Sequence, residues 1–441
     1  MERRKKIVIV GAGSAQFVEG LFGDLIRSGR PWELSLVDID PSALAIAEGL
    51  SRRMVEAKQA DIVIRGSLDR RDVLPGANVV VLTVGVGGRR AWEADVHVPR
   101  RFGVYQPVGD TIMPGGISRA MRMIPALIDI ARDVRRLCPR ALFINYSNPM
   151  TVNCQAVRKA IRVEMVGLCI GTYHVQQNLA RFIGAPEGEV TSLAAGVNHF
   201  TWVYDLRWNG QDAWPLVREK LARVRAGKET DPFVDRNRFS WQLFDSYGAY
   251  PAVNDVHVVE FFPERFPEGN YYGQKLGLGG CLDFDQHIAR IDRTYERMAG
   301  VAQGTIPIDD SVFQSSLSEH SQLVRMILDI ERDNRRSYTA NLLNRGLVPN
   351  LHSEAVLEVT AVTTARGFRG LQHPDFPYAL AGALDKTLVV QQLTVEAALT
   401  GSRKLFVEAI LADGAVKDHA TAEQLTDALI ARHREHLPQF A

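Results

Sequence analysis

Two short segments carry side chains suited to holding a transition metal: Cys169 ends the apolar run VGLC, and His199 sits in GVNHF. A thiolate and an imidazole nitrogen are good ligands for a divalent transition metal, and substrate oxygens can complete an open coordination sphere. Thirty residues separate the two, so spacing alone leaves a plainer reading open, a small buried thiol and a core histidine satisfied by its neighbours. Two polar loops add hydrogen-bonding groups. YQPVGDTIMPGGISR brings Asp110 and Arg119 just ahead of a long helical segment, and a solvated turn is the ordinary alternative. NYSNPM sets Asn145 and Asn148 at the end of a strand, with Asn148 held extended by Pro149. Asparagine can donate and accept at once, which suits a sugar diol or a cofactor ribose.

The elements that would position these groups begin with GAGSAQF. The apolar run at residues 7–10 predicts a buried parallel strand, Gly11 and Gly13 a tight turn around Ser14, and residues 15–28 a helix whose N-terminus faces a phosphate. Gln16 stands where the dinucleotide fingerprint has its third glycine. The next strand, ELSLVDID, ends in Asp38 and Asp40, and a carboxylate there accepts hydrogen bonds from a ribose diol and repels a 2′-phosphate. That combination selects NAD over NADP. A bare strand, turn and helix without ligand is the competing reading.

Strands and helices alternate through the first half in the manner of a doubly wound α/β sheet, with NYSNPM and VGLC at the carboxyl ends where ligands bind. VTSLAAGVNHFTWVYDLRWNG then reads as extended strands around a loop, and helices are expected near residues 318–335 and 384–411. A chain of 441 residues exceeds what one core usually serves. The expected division is a Rossmann-type nucleotide domain over 1–190 and a mixed α/β substrate domain over 191–441.

Lys and Arg total 52 against 51 Asp and Glu, with no basic stripe or acidic tail, which argues against a nucleic-acid partner. No apolar run approaches a membrane span, no signal-peptide pattern follows MERRKK, and the four scattered cysteines form no disulfide framework or zinc pair. A soluble cytoplasmic protein without membrane attachment is expected.

Taken in order, GAGS, DID, DVHVPRRFGVYQPVGDTIMPGGISR, NYSNPM, GLC, GVNHF and YGAYPAVNDVHVVEF resemble the NAD- and divalent-metal-dependent family 4 glycoside hydrolases, with further support in GLVPNLHSEAVLEV. VGDT, PGG and NDVHVVEF look closest to members that cleave α-galacturonides and other unphosphorylated α-glycosides. The resemblance implies a lactate/malate dehydrogenase-like second domain, a homodimer or homotetramer, and a small carbohydrate substrate. It also implies an exception to the two-carboxylate mechanism: transient oxidation at sugar C3 by NAD, removal of the C2 proton, elimination of the aglycone, and reversal.

By the same resemblance Cys169 and His199 hold Mn or another divalent metal. Asp255 matches the C2 base, with Tyr247 or Tyr250 as the tyrosine alternative. Asn148, Asp110 and Arg119 meet the substrate, and Gly11, Gly13, Ser14, Asp38 and Asn145 meet the cofactor. Members usually follow the metal cysteine with His, Asp or Asn, whereas this chain has Ile170, so His174, four residues on, is the expected acid. Ile170 also leaves open an aglycone that needs no acid and a catalytically silent NAD or sugar sensor, while the shared nucleotide domain keeps a net 2-hydroxyacid dehydrogenase as the second enzyme reading.

Overall fold

In the computed structural model, residues 4–15, 17–314 and 322–440 are described. Six runs rich in Val, Ile and Leu form β1 (Lys5–Val10), β2 (Trp32–Val37), β3 (Ile62–Ser67), β4 (Val79–Leu82), β5 (Leu142–Asn145) and β6 (Val166–Gly167). They pair in the order β3-β2-β1-β4-β5-β6, and every pairing is parallel. The order reverses between β1 and β4, and open parallel sheets bind ligands outside the strand ends at such a switch point.

Both faces of this sheet are covered, because alternate residues of β1 point into different cores. Ile7 and Ile9 pack with Leu21 of α1 (Val18–Arg27) and Leu44 of α2 (Pro41–Lys58). Val8 and Val10 pack with Ile124 of α4 (Met113–Leu137) and Val157 of α5 (Met150–Ile161). Asp40 caps α2 by accepting the Ser42 N–H, and proline follows at the first helical position. Helix α3 (Gly88–Arg100) was not expected from its glycine, arginine and proline content; Trp92 and Val96 bury one of its faces.

The sheet does not stop at β6. Helix α6 (Gly171–Ile183) leads to the hairpin of β7 (Val190–Val197) and β8 (Phe200–Trp208), with β9 (Gln211–Asp212) at its end. Helices α7 (Trp214–Arg225), α8 (Pro232–Arg236) and α9 (Arg238–Tyr247) precede β10 (Tyr250–Ala252) and the four-residue α10 (Asp255–Val258). A small sheet of β11 (Asn270–Tyr271), β12 (Gln274–Leu276) and β13 (Gly279–Gly280) comes before α11 (Phe284–Gln303) and α12 (Leu323–Glu331). The chain then returns as β14 (Ser337–Leu343), β15 (Val356–Thr364) and β16 (Gly367–Gly370). Through β14, antiparallel to β6, the path runs on as β14-β15-β7-β8-β10, so parallel and antiparallel halves share one sheet.

The predicted single helix at 384–411 is two, α13 (Tyr378–Thr400) and α14 (Arg403–Asp413), ahead of α15 (His419–Arg432). Gly401 separates them with φ +67°, and a Cβ there would lie 2.0 Å from the Gln439 carbonyl oxygen, so only glycine fits the break. These last helices fold back onto the nucleotide half: α13 packs on α4 and α5, and α15 on α3. The helix expected from 318 onward appears as α12; residues 315–321 lie outside the described residues, as does Gln16. Among the described residues no helix is long and apolar enough to cross a membrane.

Asp413, at the end of α14, accepts the backbone N–H groups of Met113 and Ala415. Burial pushes its carboxyl up to about 7, against the pull of Lys386 and of those two donors. A carboxyl raised in the folded state contributes stability that is fully present below its unfolded pKa and lost as pH rises through the folded one. Denaturant unfolding is therefore expected to show stability falling between about pH 4 and 7, by at most about 4 kcal/mol from this group. Asp413→Asn should flatten that slope; an unchanged slope would assign the pH dependence elsewhere.

Candidate active site

The cofactor side forms at the carboxyl ends of β1 and β2. Gly11 and Ala12 both donate to the Val37 carbonyl, and Gly13 N–H donates to Asp38 Oδ2 at 2.8 Å. Gly11 adopts φ +91°, and a Cβ on it would stand 2.7 Å from the Thr83 carbonyl carbon at the end of β4. The turn is therefore closed to any side chain. Helix α1 starts behind it with no side-chain cap on its first turn, which leaves backbone N–H groups and the positive end of the dipole for an anion. Gly11→Ala is expected to weaken NAD binding by more than about tenfold with little change in far-UV circular dichroism. Equal NAD affinity in a titration would displace the cofactor from this turn.

Asn145 closes β5 at the carboxyl end of the sheet. It is fully buried, donating to the Ser147 carbonyl and accepting the Ser147 N–H, so it shapes the NYSNPM turn. Asn148 is the outward member: its amide nitrogen donates to Asp110 Oδ2 at 2.8 Å, while its Oδ1 is buried without a partner. Arg119 donates from Nε to the Asn148 carbonyl and lays its guanidinium over the Trp92 ring at 5.6 Å. One polar unit thus contains Asp110, Arg119 and Asn148.

His199 joins this unit from the β7–β8 turn. Its Nδ1 lies 2.9 Å from Thr111 Oγ1 and 3.9 Å from Asp110 Oδ1. The ring of His257 lies against it with centroids 3.8 Å apart. Ligand atoms of Asp110, His199 and His257 all fall within 4.8 Å of one another, the arrangement needed to hold one metal ion. Burial, with His257 opposing charge alongside, pushes His199 down to about 3, and burial lowers His257 as well against the pull of Asp110. Both rings are neutral at physiological pH and can present lone pairs to a cation. Burial opposes charge on Asp110 too, but His199, His257, Arg119 and the Thr111 hydroxyl outweigh it and hold the carboxyl below its usual range.

Three buried carboxyl groups hold the three loops of this cluster. Glu260 Oε1 accepts the N–H groups of Val108 and Gly109, fixing the loop of Asp110; burial raises its carboxyl to about 8. Glu358 of β15 accepts from Asn198, Thr201, Asn341 and Thr172, and so fixes the turn that carries His199. Asp255 is the third. Its carboxylate, 1% exposed, accepts from Phe239 N–H, Ser240 N–H, Ser240 Oγ and Tyr271 Oη at 2.5–2.8 Å. Burial lifts its pKa while these donors pull it back. Asp255 clamps α10 to the start of α9, and His257 of the same turn faces the metal-capable group. Sequence reasoning passed over His257, although NDVH contains it.

The other expected groups stand at the margin. Cys169 follows β6, is 8% exposed, and accepts the Gly171 N–H at 3.3 Å; it is not one of the three close ligands. Ile170 is buried as the first residue before α6, and His174, one turn on, donates its N–H to the Ile170 carbonyl. The Tyr247 ring packs 5.1 Å from Trp202. Tyr250 is fully buried, donates to Asn254 Oδ1, and has its phenol pushed well above the ordinary value.

A doubly wound nucleotide sheet joined to a mixed sheet, with a metal-capable cluster at the junction, defines a cofactor-binding enzyme fold. The sequence model of the family 4 glycosyl hydrolases matches residues 6–185, and that of the family's C-terminal domain matches 194–416; the chain belongs to this family. It is 30% identical to an alpha-galactosidase of Rhizobium meliloti over 99% of this chain and 90% of that protein. It is 27% identical to an alpha-galacturonidase of Bacillus subtilis over 96% of each. Among solved structures, a 6-phospho-alpha-glucosidase from gut microorganisms, in complex with NAD and Mn2+, superposes with a TM-score of 0.85 at 17% identity, covering 99% of this chain and 100% of that one.

Proposed function

We propose that this chain is an NAD- and divalent-metal-dependent glycosidase of unphosphorylated α-glycosides, α-galactosides or α-uronides. The observation that carries the reading is the Asp110, His199 and His257 cluster beside Asn148 and Arg119. Asp110 and the neutral His199 imidazole fit a borderline divalent ion such as Mn, with His257 beside them as a proton acceptor, and the uncapped α1 and side-chain-free Gly11 turn fit a pyrophosphate. When bound, NAD accepts and returns the C3 hydride and the metal acidifies the neighbouring C2–H.

The chain's own residues do the rest. Asp38 accepts from the cofactor ribose. His199 and Asp110 would hold the metal, with Cys169 from the end of β6 as the further ligand that family membership suggests. Asn148 Oδ1, buried without a partner, is an open acceptor for a sugar hydroxyl. His257 Nδ1, also buried and unpartnered, takes the C2 proton in the place first read for Asp255, with Tyr247 as the tyrosine alternative. His174 protonates the leaving oxygen where Ile170 cannot. Arg119, beside Asp110, has its charge drawn toward that carboxylate.

The hydrolase family disfavours the dehydrogenase and sensor readings. Aryl α- and β-glycosides and uronides, assayed with NAD, Mn and thiol and with each omitted in turn, test the proposal. Aglycone release requiring all three is expected, without net NADH. Release that persists without NAD would overturn it. A cytoplasmic location and a homodimer or homotetramer belong to the same proposal, the assembly being read by sedimentation velocity.

A further inference from the structure

A second cavity lies at the opposite edge of the parallel sheet. It measures about 830 Å³ and is bounded by the amino ends of β4, β5 and β6 together with the end of β14 and the β15–β16 hairpin. Strands of four residues separate it from the carboxyl-end site, on the order of 15 Å of sheet. The volume is that of a small-molecule site.

Arginines from four parts of the chain converge on it: Arg140 before β5, Arg162 after α5, Arg345 after β14, and Arg366 and Arg369 on the hairpin. Among the described residues none of these five guanidinium groups has a hydrogen bond or ion pair. Many arginines elsewhere are met by acids, as Arg403 is by Asp427 and Glu423, and Arg89 by Asp292; the unmet ones outside this cavity among the described residues, such as Arg101, Arg132 and Arg293, are not gathered around one concavity. Glu164 is the one carboxylate lining the cavity, and it lies 3.6 Å from a different arginine, Arg158. A chain with net charge +1 thus gathers five unanswered positive charges around one concavity.

Like charges held together in a concave site repel one another and focus a positive potential there. A multiply charged anion relieves that repulsion, and the planar guanidinium fork matches phosphate oxygens two at a time. Leu342, Leu347, Val166 and Phe368 line the same cavity and offer apolar surface to an organic body. We propose that this cavity binds a small phosphorylated molecule with two or more negative charges, at a site separate from the NAD and sugar sites.

The test is binding of ADP, and in a parallel arm of inorganic phosphate, to the NAD-saturated, Mn-loaded protein by equilibrium dialysis at physiological salt. ADP is expected to bind once per chain and far better than phosphate, because phosphate lacks the organic body. Binding of phosphate as tight as that of ADP would overturn the organic ligand. The triple variant Arg140→Gln, Arg345→Gln, Arg369→Gln removes no hydrogen bond or ion pair among the described residues, and should weaken ADP by more than roughly tenfold while glycoside hydrolysis and NAD affinity stay unchanged. Equal ADP affinity in native and variant protein, or no binding at millimolar ADP, would overturn the proposal. So would a variant that sediments as a smaller species, since the arginines would then face a second copy of the chain.

Discussion

Replacing His199 with alanine is expected to remove metal-dependent glycoside cleavage, by at least about 100-fold, while leaving NAD affinity in place. The ring is 4% exposed and ties three parts of the site together: Thr111 at 2.9 Å, Asp110 beyond it, and the His257 ring against its face. Its loss removes a ligand and opens a polar void next to Asp110. The NAD turn draws on Gly11, Gly13, Asp38 and Val37 and shares none of those contacts. Metal content measured by mass spectrometry should therefore fall in step with activity. A variant that keeps stoichiometric Mn and full turnover would dismiss the cluster as the metal centre.

Asp255→Ala should act differently, through stability. The substitution strands the buried N–H groups of Phe239 and Ser240 and the hydroxyls of Ser240 and Tyr271. Unsatisfied buried donors cost roughly 1–3 kcal/mol each, partly recovered by relaxation, so a loss of about 3–5 kcal/mol is expected. That is a large share of a typical domain's total. The companion variant His257→Gln should unfold near the native temperature and stop exchange of the sugar C2 proton with solvent. The opposite pairing, a stably folded Asp255→Ala protein without exchange and a His257→Gln protein that exchanges normally, would restore Asp255 as the base.

The nucleotide half was legible because its signals are local. Four to six apolar residues ending in glycine or asparagine announce a buried strand and its ligand-facing end, as at Val10 and Asn145. The long helix behind PGGISR and the strands on either side of His199 were read for the same reason. Asp110, Arg119, Asn148 and His199, spread over 90 residues, do converge, and only tertiary structure brings them together.

Orientation was not legible. Asp255 and His257 occupy one short helical turn two residues apart, which puts their side chains about 200° apart around the axis. One must turn into the protein and the other toward the site. Sequence alone does not say which, because the partners that decide it, Ser240 and Tyr271, arrive from elsewhere in the chain. The orientation of Asn145 is set in the same way, because the turn it sits in engages its own side chain.

The unbroken ladder from β3 to β10 bears on how this enzyme can change. Backbone hydrogen bonds through β6 and β14, and helices folded back across both halves, leave among the described residues no linker about which cofactor and sugar sides could swing apart. Substrate entry must be managed by loops at the strand ends, and grafting the second half of one relative onto the first half of another would cut through a shared core. New glycone preferences are more readily reached by exchanging the short turns that carry Asp110, Asn148, Ile170 and His257, each already anchored on a rigid frame.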